Sequence, residues 1–245
     1  MSEFIEGRNA VAEAMRSGQR VNRILIAKGM RPDPLVDEIV GLAKEAGIAV
    51  VHVDRAELDR ESERGHHQGV MARVPEFNYA NFRTVLDACA GKERSLIIVL
   101  DQVTDPGNFG AVIRSAEVAG ADAVIVADRR SAPVTAVVHK AAAGATAYLP
   151  VIKVTNLTQT LKGLKDAGYW IAGTSERGAS SLWEAPIEGR IVLVLGSEGS
   201  GLSRLVSENC DFLVRIPVAG RVGSLNVAQA ATVFAFEWVR RGTEG

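Results

Sequence analysis

Residues 95–120 read SLIIVLDQVTDPGNFGAVIRSAEVAG, and their pattern sets the reading of the whole chain. Residues 95–100 form an almost unbroken apolar run. Strands of this kind belong to parallel sheets covered on both faces, whereas a strand with one wet face alternates. An Asp/Pro/Gly/Asn turn follows, and a helix is predicted to begin near Gly110. Asn108 falls just ahead of it, placed to cap the helix or to hold a ligand. Arg114 falls about one turn inside, on a face otherwise made of Ala, Val and Ile. A guanidinium there needs an anionic partner or a task. Asp101 and Glu117 are the nearest partners for a plain salt bridge.

Two later stretches repeat the strand–glycine loop–helix design. In LVLGSEGSGLSRL, residues 193–205, Gly196, Gly199 and Gly201 let the backbone fold sharply or approach a ligand. Glu198 is either a carboxylate favoured at a helix N-terminus or a ligand contact. The spacing matches neither the dinucleotide fingerprint nor the P-loop. In FLVRIPVAGRVGSLNVAQA, residues 212–230, Pro217 ends a short strand. A glycine-bearing loop follows, and Ser224, Leu225 and Asn226 open a helix predicted over 227–240. Free N–H groups at such a helix start suit a polar ligand. Together the three loops suggest one pocket beyond the carboxyl ends of parallel strands.

Further strands are predicted at 123–126, 149–152, 169–172 and 191–195, with helices at 136–144 and 157–167. The N-terminal part reads as helix 6–17, strand 23–27, a helix from Pro34, strand 48–53, a helical turn 56–63 and strand 69–74. Residues 75–79, PEFNY, break the pattern, and a helix is predicted over 81–90. The expected layout is a small α/β domain at 1–75, a linker with a leading helix at 76–94, and a mostly parallel α/β domain at 95–245.

With 245 residues, 47% hydrophobic and 23% charged, the chain has ample material for a core. No apolar run nears the roughly 20 residues needed to span a bilayer. The opening MSEFIEGRNA lacks a signal-peptide core, so no membrane role and a cytoplasmic location are expected. Cys89 and Cys210 lie far apart, and His52, His66, His67 and His139 are not at ligand spacing, so no metal is expected. A net charge of −1 does not advertise a nucleic-acid binder, though it leaves room for a local basic face. No Ser-His-Asp order or paired carboxylates stand near the loops, so hydrolysis lacks candidates.

Taken together, NFGAVIRSA (108–116), LGSEGSGL (195–202) and IPVAGRVGSLNVAQA (216–230) resemble, in order and spacing, the three signature motifs of SPOUT-class RNA methyltransferases, and more narrowly the TrmH-type 2′-O-ribose methyltransferases. The preceding unit, with EGRNAVAEA at its start and HHQGVMARV at its end, is similar to the small ribosomal-protein-like RNA-binding domain of many members. The layout is closest to members that methylate a guanosine ribose in the peptidyl-transferase region of 23S rRNA; tRNA ribose is the alternative substrate. The resemblance implies a C-terminal trefoil knot, S-adenosyl-L-methionine as cofactor, and a homodimer formed through the catalytic domain.

By position it assigns cofactor contacts to Thr174, Leu195, Gly196, Glu198, Gly199, Ile216, Pro217, Val218, Ser224, Leu225 and Ala228. It gives Arg114 the central catalytic place, with Asn108, Ser224 and Asn226 positioning the hydroxyl and the guanidinium. The helix face ending in Phe234, Phe236 and Trp238 would be interface as well as core. Arg8, Arg16, Arg20, Arg23, Lys28 and Arg73 are candidates for a local phosphate-binding face. A non-catalytic RNA-binding or ribosome-assembly protein fits the joint presence of Asn108, Arg114, Glu198, Ser224 and Asn226 poorly. A nucleotide-linked dehydrogenase lacks its fingerprint.

Overall fold

The computed structural model describes residues 3–16, 18, 20–62, 67–75, 77–176 and 178–243. The predicted element ends at Ser17 and Glu63, together with His66 and Glu76, lie outside them. The chain divides into two compact units, Met1–Asn78 and Tyr79–Gly245.

The first unit contains β1 (Glu3–Glu6), α1 (Arg8–Arg16), β2 (Arg23–Ala27), α2 (Pro34–Glu45), β3 (Ala49–Val53), α3 (Arg55–Glu61) and β4 (Val70–Val74). Its sheet runs β1-β4-β2-β3, with β2 and β3 parallel and β4 antiparallel to both neighbours. Strand β1 corrects the predicted helix start: Glu6 pairs with Met71 in the sheet, and Gly7, at φ +95°, turns the chain into α1. A four-residue strand followed by a helix is too short for period-2 alternation to register. Helix α2 starts as its sequence suggests, with Pro34 in the first turn and Asp33 accepting from Leu35 N–H at 2.9 Å. One face of the sheet packs Leu25, Ala27, Val53 and Met71 against Leu58 of α3.

The second unit contains α4 (Phe82–Ala88), β5 (Ser95–Leu100), α5 (Pro106–Val118), β6 (Ala123–Ala127), α6 (Ala136–Ala142), a 3₁₀ turn (Ala145–Ala147), β7 (Val151–Val154), α7 (Leu157–Asp166) and β8 (Trp170–Thr174). It continues with β9 (Ser180–Ser181), β10 (Arg190–Leu195), α8 (Arg204–Glu208), β11 (Phe212–Arg215) and α9 (Val227–Thr243). The sheet runs β7-β6-β5-β10-β8-β11-β9, and every pairing in it is parallel. All six residues of β5 are buried, which is what its unbroken apolar run requires. Leu157, Leu161 and Leu164 of α7 pack on one face with Ile97, Val99, Ile125 and Val192, and α4 adds Phe82, Val85 and Leu86. The strand order is consistent with the knotted C-terminal half that the resemblance implies.

Helix α5 begins at Pro106, four residues before the predicted start, with Asp105 accepting from Asn108 N–H at 2.7 Å. Gly110 therefore lies inside the helix. Its absent side chain lets α6 approach: a Cβ there would meet the Val138 carbonyl oxygen at 2.5 Å. In α9, Phe234 and Trp238 are core, at 3% and 8% exposure, while Phe236 is 43% exposed. The expected common face does not exist, because residues two apart on a 3.6-residue helix point in different directions.

The C-terminal end of α9 is fastened by a buried carboxylate. Glu237, 5% exposed, accepts from Arg240 at 2.7 Å through each oxygen and from Arg241 at 3.0 Å, and Arg241 also donates to the Trp183 carbonyl at 2.7 Å. Arg240's hydrogen bonds, with those of Arg241, hold the carboxyl down at about 2. An unfolded glutamate titrates near 4.3. The stabilisation is therefore present above about pH 4.3 and lost as pH falls towards about 2. Glu237→Gln should lower Tm at neutral pH and flatten its decline below about pH 5. Parallel melting curves for variant and parent would contradict this coupling.

Candidate active site

The loops after β8, β10 and β11 leave the carboxyl ends of three neighbouring strands and enclose a cavity of about 930 Å³. The loop after β10 closes on itself, with Ser197 N–H donating to Gly201 O at 3.1 Å and Gly201 N–H to Ser197 O at 3.0 Å. Gly199 and Gly201 take φ values of +94° and +67°, open to glycine at no steric cost. Gly196 is needed for a different reason: a Cβ there would lie 2.1 Å from the Gly201 carbonyl carbon. Among the described residues, the backbone from 216 to 225 makes no internal hydrogen bond. A cavity wall with free N–H and C=O groups is a wall for a polar ligand.

The three motifs meet at one oxygen. Glu198 Oε1 accepts from Asn108 Nδ2 at 2.9 Å, from Asn226 Nδ2 at 2.7 Å and, more weakly, from Val227 N–H at 3.4 Å. Asn226 Nδ2 also donates to Asn108 Oδ1 at 2.8 Å, and Asn226 Oδ1 accepts from Ala228 N–H at 2.9 Å. Val227 and Ala228 are the first residues of α9, so these bonds satisfy N–H groups that the helix leaves free. Glu198 serves a helix N-terminus, that of α9, and it lines the cavity.

Of the sequence-predicted positions, Thr174, Leu195, Gly196, Glu198, Gly199, Ile216, Pro217, Val218, Ser224, Leu225 and Asn226 line the cavity. Ala228 does not; its N–H is taken by Asn226. Asn108 stands outside the lining, joined through Glu198. Arg114 is also outside the lining, and it is not in an apolar face. The buried stripe of α5 runs through Phe109, Val112, Ile113 and Ala116, and Arg114 is exposed beside it. The salt-bridge alternative fails: Arg114 has no partner among the described residues, and Asp101 is used by Ser203 N–H at 2.7 Å.

Sequence reasoning missed Ser175, Glu176 and Gly223 on the cavity wall. The first two directly follow β8, and the end of a third neighbouring parallel strand was the available signal. Glu176 has no partner among the described residues and faces the cavity. Cys210, behind the wall, is no nucleophile: burial pushes its thiol up to about 12, and it donates to the Val206 carbonyl. Among the described residues no three His, Cys, Asp or Glu side chains gather as a metal-ligand set.

A cavity at the carboxyl ends of parallel strands is where α/β sheets of this kind hold their ligands. Known relatives narrow the choice. Residues 95–236 match the SpoU rRNA methylase family, and residues 4–80 match the RNA 2′-O ribose methyltransferase substrate-binding family. A Staphylococcus epidermidis protein assigned to the TrmH family of tRNA/rRNA methyltransferases is 42% identical over 238 residues, covering 97% of this chain and 95% of its own. The SpoU methyltransferase AviRb of Streptomyces viridochromogenes, solved in complex with the cofactor AdoMet, superposes with a TM-score of 0.62 at 26% identity, covering 100% of this chain and 91% of its own. A solved RNA 2′-O ribose methyltransferase gives 0.61 at 27%, covering 99% and 89%. The chain belongs to the SpoU methylase family.

Gly196→Ala tests the loop closure. The added methyl should force the Ser197–Gly201 ladder open, speed amide exchange at both residues, and cost about 1–3 kcal/mol in urea unfolding. Unchanged exchange at Gly201 would show that the closure does not depend on Gly196.

Proposed function

We propose that this protein transfers a methyl group from S-adenosyl-L-methionine to the 2′-hydroxyl of a guanosine ribose in 23S rRNA. The observation that carries this reading is the joining of Asn108, Glu198 and Asn226 at the rim of a backbone-walled cavity. The residues fit the cofactor by their chemistry. Free backbone groups from 216 to 225 suit adenine and ribose edges, exposed Val218 and Leu225 suit an aromatic base, and Glu176, without a partner among the described residues, suits a cationic ligand.

The cofactor supplies an activated methyl on a sulfonium. The chain's task is alignment and proton handling. Asn108 and Asn226, each held by Glu198, are positioned to orient a hydroxyl at the cavity rim, and Ser224 adds a second polar contact. Arg114 is exposed and has no counter-charge among the described residues. A delocalised guanidinium holds its protons too firmly to serve well as a base. Holding the phosphate beside the target ribose and stabilising charge on the departing proton's oxygen is the role its chemistry favours.

The match of residues 4–80 to a substrate-binding family supports a structured RNA target held by the first unit. Exposed Val118 on α5 and Phe236 on α9 support a second copy of the chain on that side, where Ser115 and Thr232 join the two helices at 2.7 Å. A homodimer there would bring partner residues near Arg114. An RNA substrate is in keeping with a cytoplasmic location.

The test is transfer of labelled methyl from the cofactor to RNA from a strain lacking this protein, with the product mapped. 2′-O-methylguanosine in 23S rRNA is expected. Label in tRNA would keep the chemistry and replace the substrate; label in neither would remove the activity. Arg114→Ala should cut kcat by about 100-fold or more while leaving cofactor affinity unchanged. Near-normal turnover would take Arg114 out of the mechanism.

A further inference from the structure

The basic residues of the first unit fall into two classes. Arg8 is paired with Asp33, Arg16 with Glu38 through two bonds of 2.7 Å, and Lys28 with Asp54 at 3.1 Å. Arg23 and Arg73 are not paired. They sit directly opposite each other across β2 and β4, both are exposed, and neither has a carboxylate partner among the described residues. Arg20 is exposed just ahead of β2.

Like charges facing each other across a sheet are destabilising. The chain has 29 acidic residues to 28 basic ones, so a missing counter-charge here is local and not a shortage of carboxylates. The neighbour on the other side is aromatic. Phe4 pairs with Arg73 across β1 and β4, and the guanidinium lies 6.0 Å from the ring centroid. One row across the sheet therefore reads Phe4, Arg73, Arg23, Ala49. It lies on the face whose other end is covered by Leu58 of α3, and its own side chains stay half-buried or exposed.

We propose that this row is where the substrate RNA strand crosses the first unit, with a phosphodiester bridging Arg23 and Arg73 and an unstacked base against Phe4. Two adjacent guanidiniums offer planar donor forks matched to phosphate oxygens. A phosphate between them also removes their mutual repulsion, in keeping with the lack of a counter-charge among the described residues. A ring at the end of the row supplies the stacking surface by which proteins hold single-stranded bases. An acidic peptide would neutralise the arginines but give the ring nothing to stack on. This inference rests on the RNA reading above.

The test uses full-length protein and an unmodified 23S rRNA transcript, with filter binding across a salt series. Arg23→Gln/Arg73→Gln should bind at least about tenfold more weakly, with a salt slope shallower by about one to two. Phe4→Leu, which keeps the apolar packing, should bind a few-fold more weakly at unchanged slope. Arg83→Gln/Lys162→Gln, an equal charge change on α4 and α7, should bind as the parent does, and cofactor affinity should be the same in all. If the parent methylates RNA and the arginine pair variant binds as tightly, or if the control pair loses as much, the row is overturned and the activity stands. If the parent itself binds no RNA, the reading beneath the row falls, and the row with it.

Discussion

Glu198 Oε1 is the point on which the site depends. Motifs separated by 90 and 28 residues, at Asn108 and Asn226, are drawn to one carboxylate oxygen, which also accepts from the first turn of α9. Each such bond contributes about 1 kcal/mol at an exposed position, too little to hold the domain together. Its effect is geometric. The bonds fix the loop after β10 against the starts of α5 and α9, so the cavity wall is preorganised. The remaining structure serves that alignment: β10 sits between β5 and β8, and Glu237 with its two arginines holds the far end of α9 in place.

Much of the second unit was legible because parallel strands buried on both faces cannot alternate. SLIIVL and IVLVL announced β5 and β10 directly. What escaped was short or set by tertiary packing. Ser180–Ser181 and Arg204–Glu208 are too brief for periodicity to mark. Gly110 was read as a helix start, yet its role is to let α6 touch α5, which only the packed pair reveals. In the first unit Glu6, the last residue of β1, was absorbed into a predicted helix because nothing local separates a β-edge from a helical first turn before a glycine.

The site was legible in a different way. The loops announced themselves by glycine and small polar residues, and most of the positions named in them line one cavity. The environment of Arg114 was not legible. Neighbours in the sequence suggested a charge in an apolar face; the fold turns that position outward, with no partner among the described residues. A helix one residue off in phase makes that difference, and no linear pattern fixes phase against neighbours not yet placed.

The strand order also constrains how the chain can be made. β10 lies between β5 and β8 in the sheet but follows both in the chain. As the polypeptide leaves the ribosome, β5 and β8 each expose an edge with no neighbour until residues 190–195 emerge, about four-fifths of the way along. Unpaired, strongly apolar edges are the surfaces on which nascent chains aggregate. A domain whose middle strand arrives late must keep its two halves apart and soluble during synthesis, then close in one step around the insertion. The same arrangement that brings three distant loops to one cavity therefore delays the cavity's existence until almost the whole chain is present.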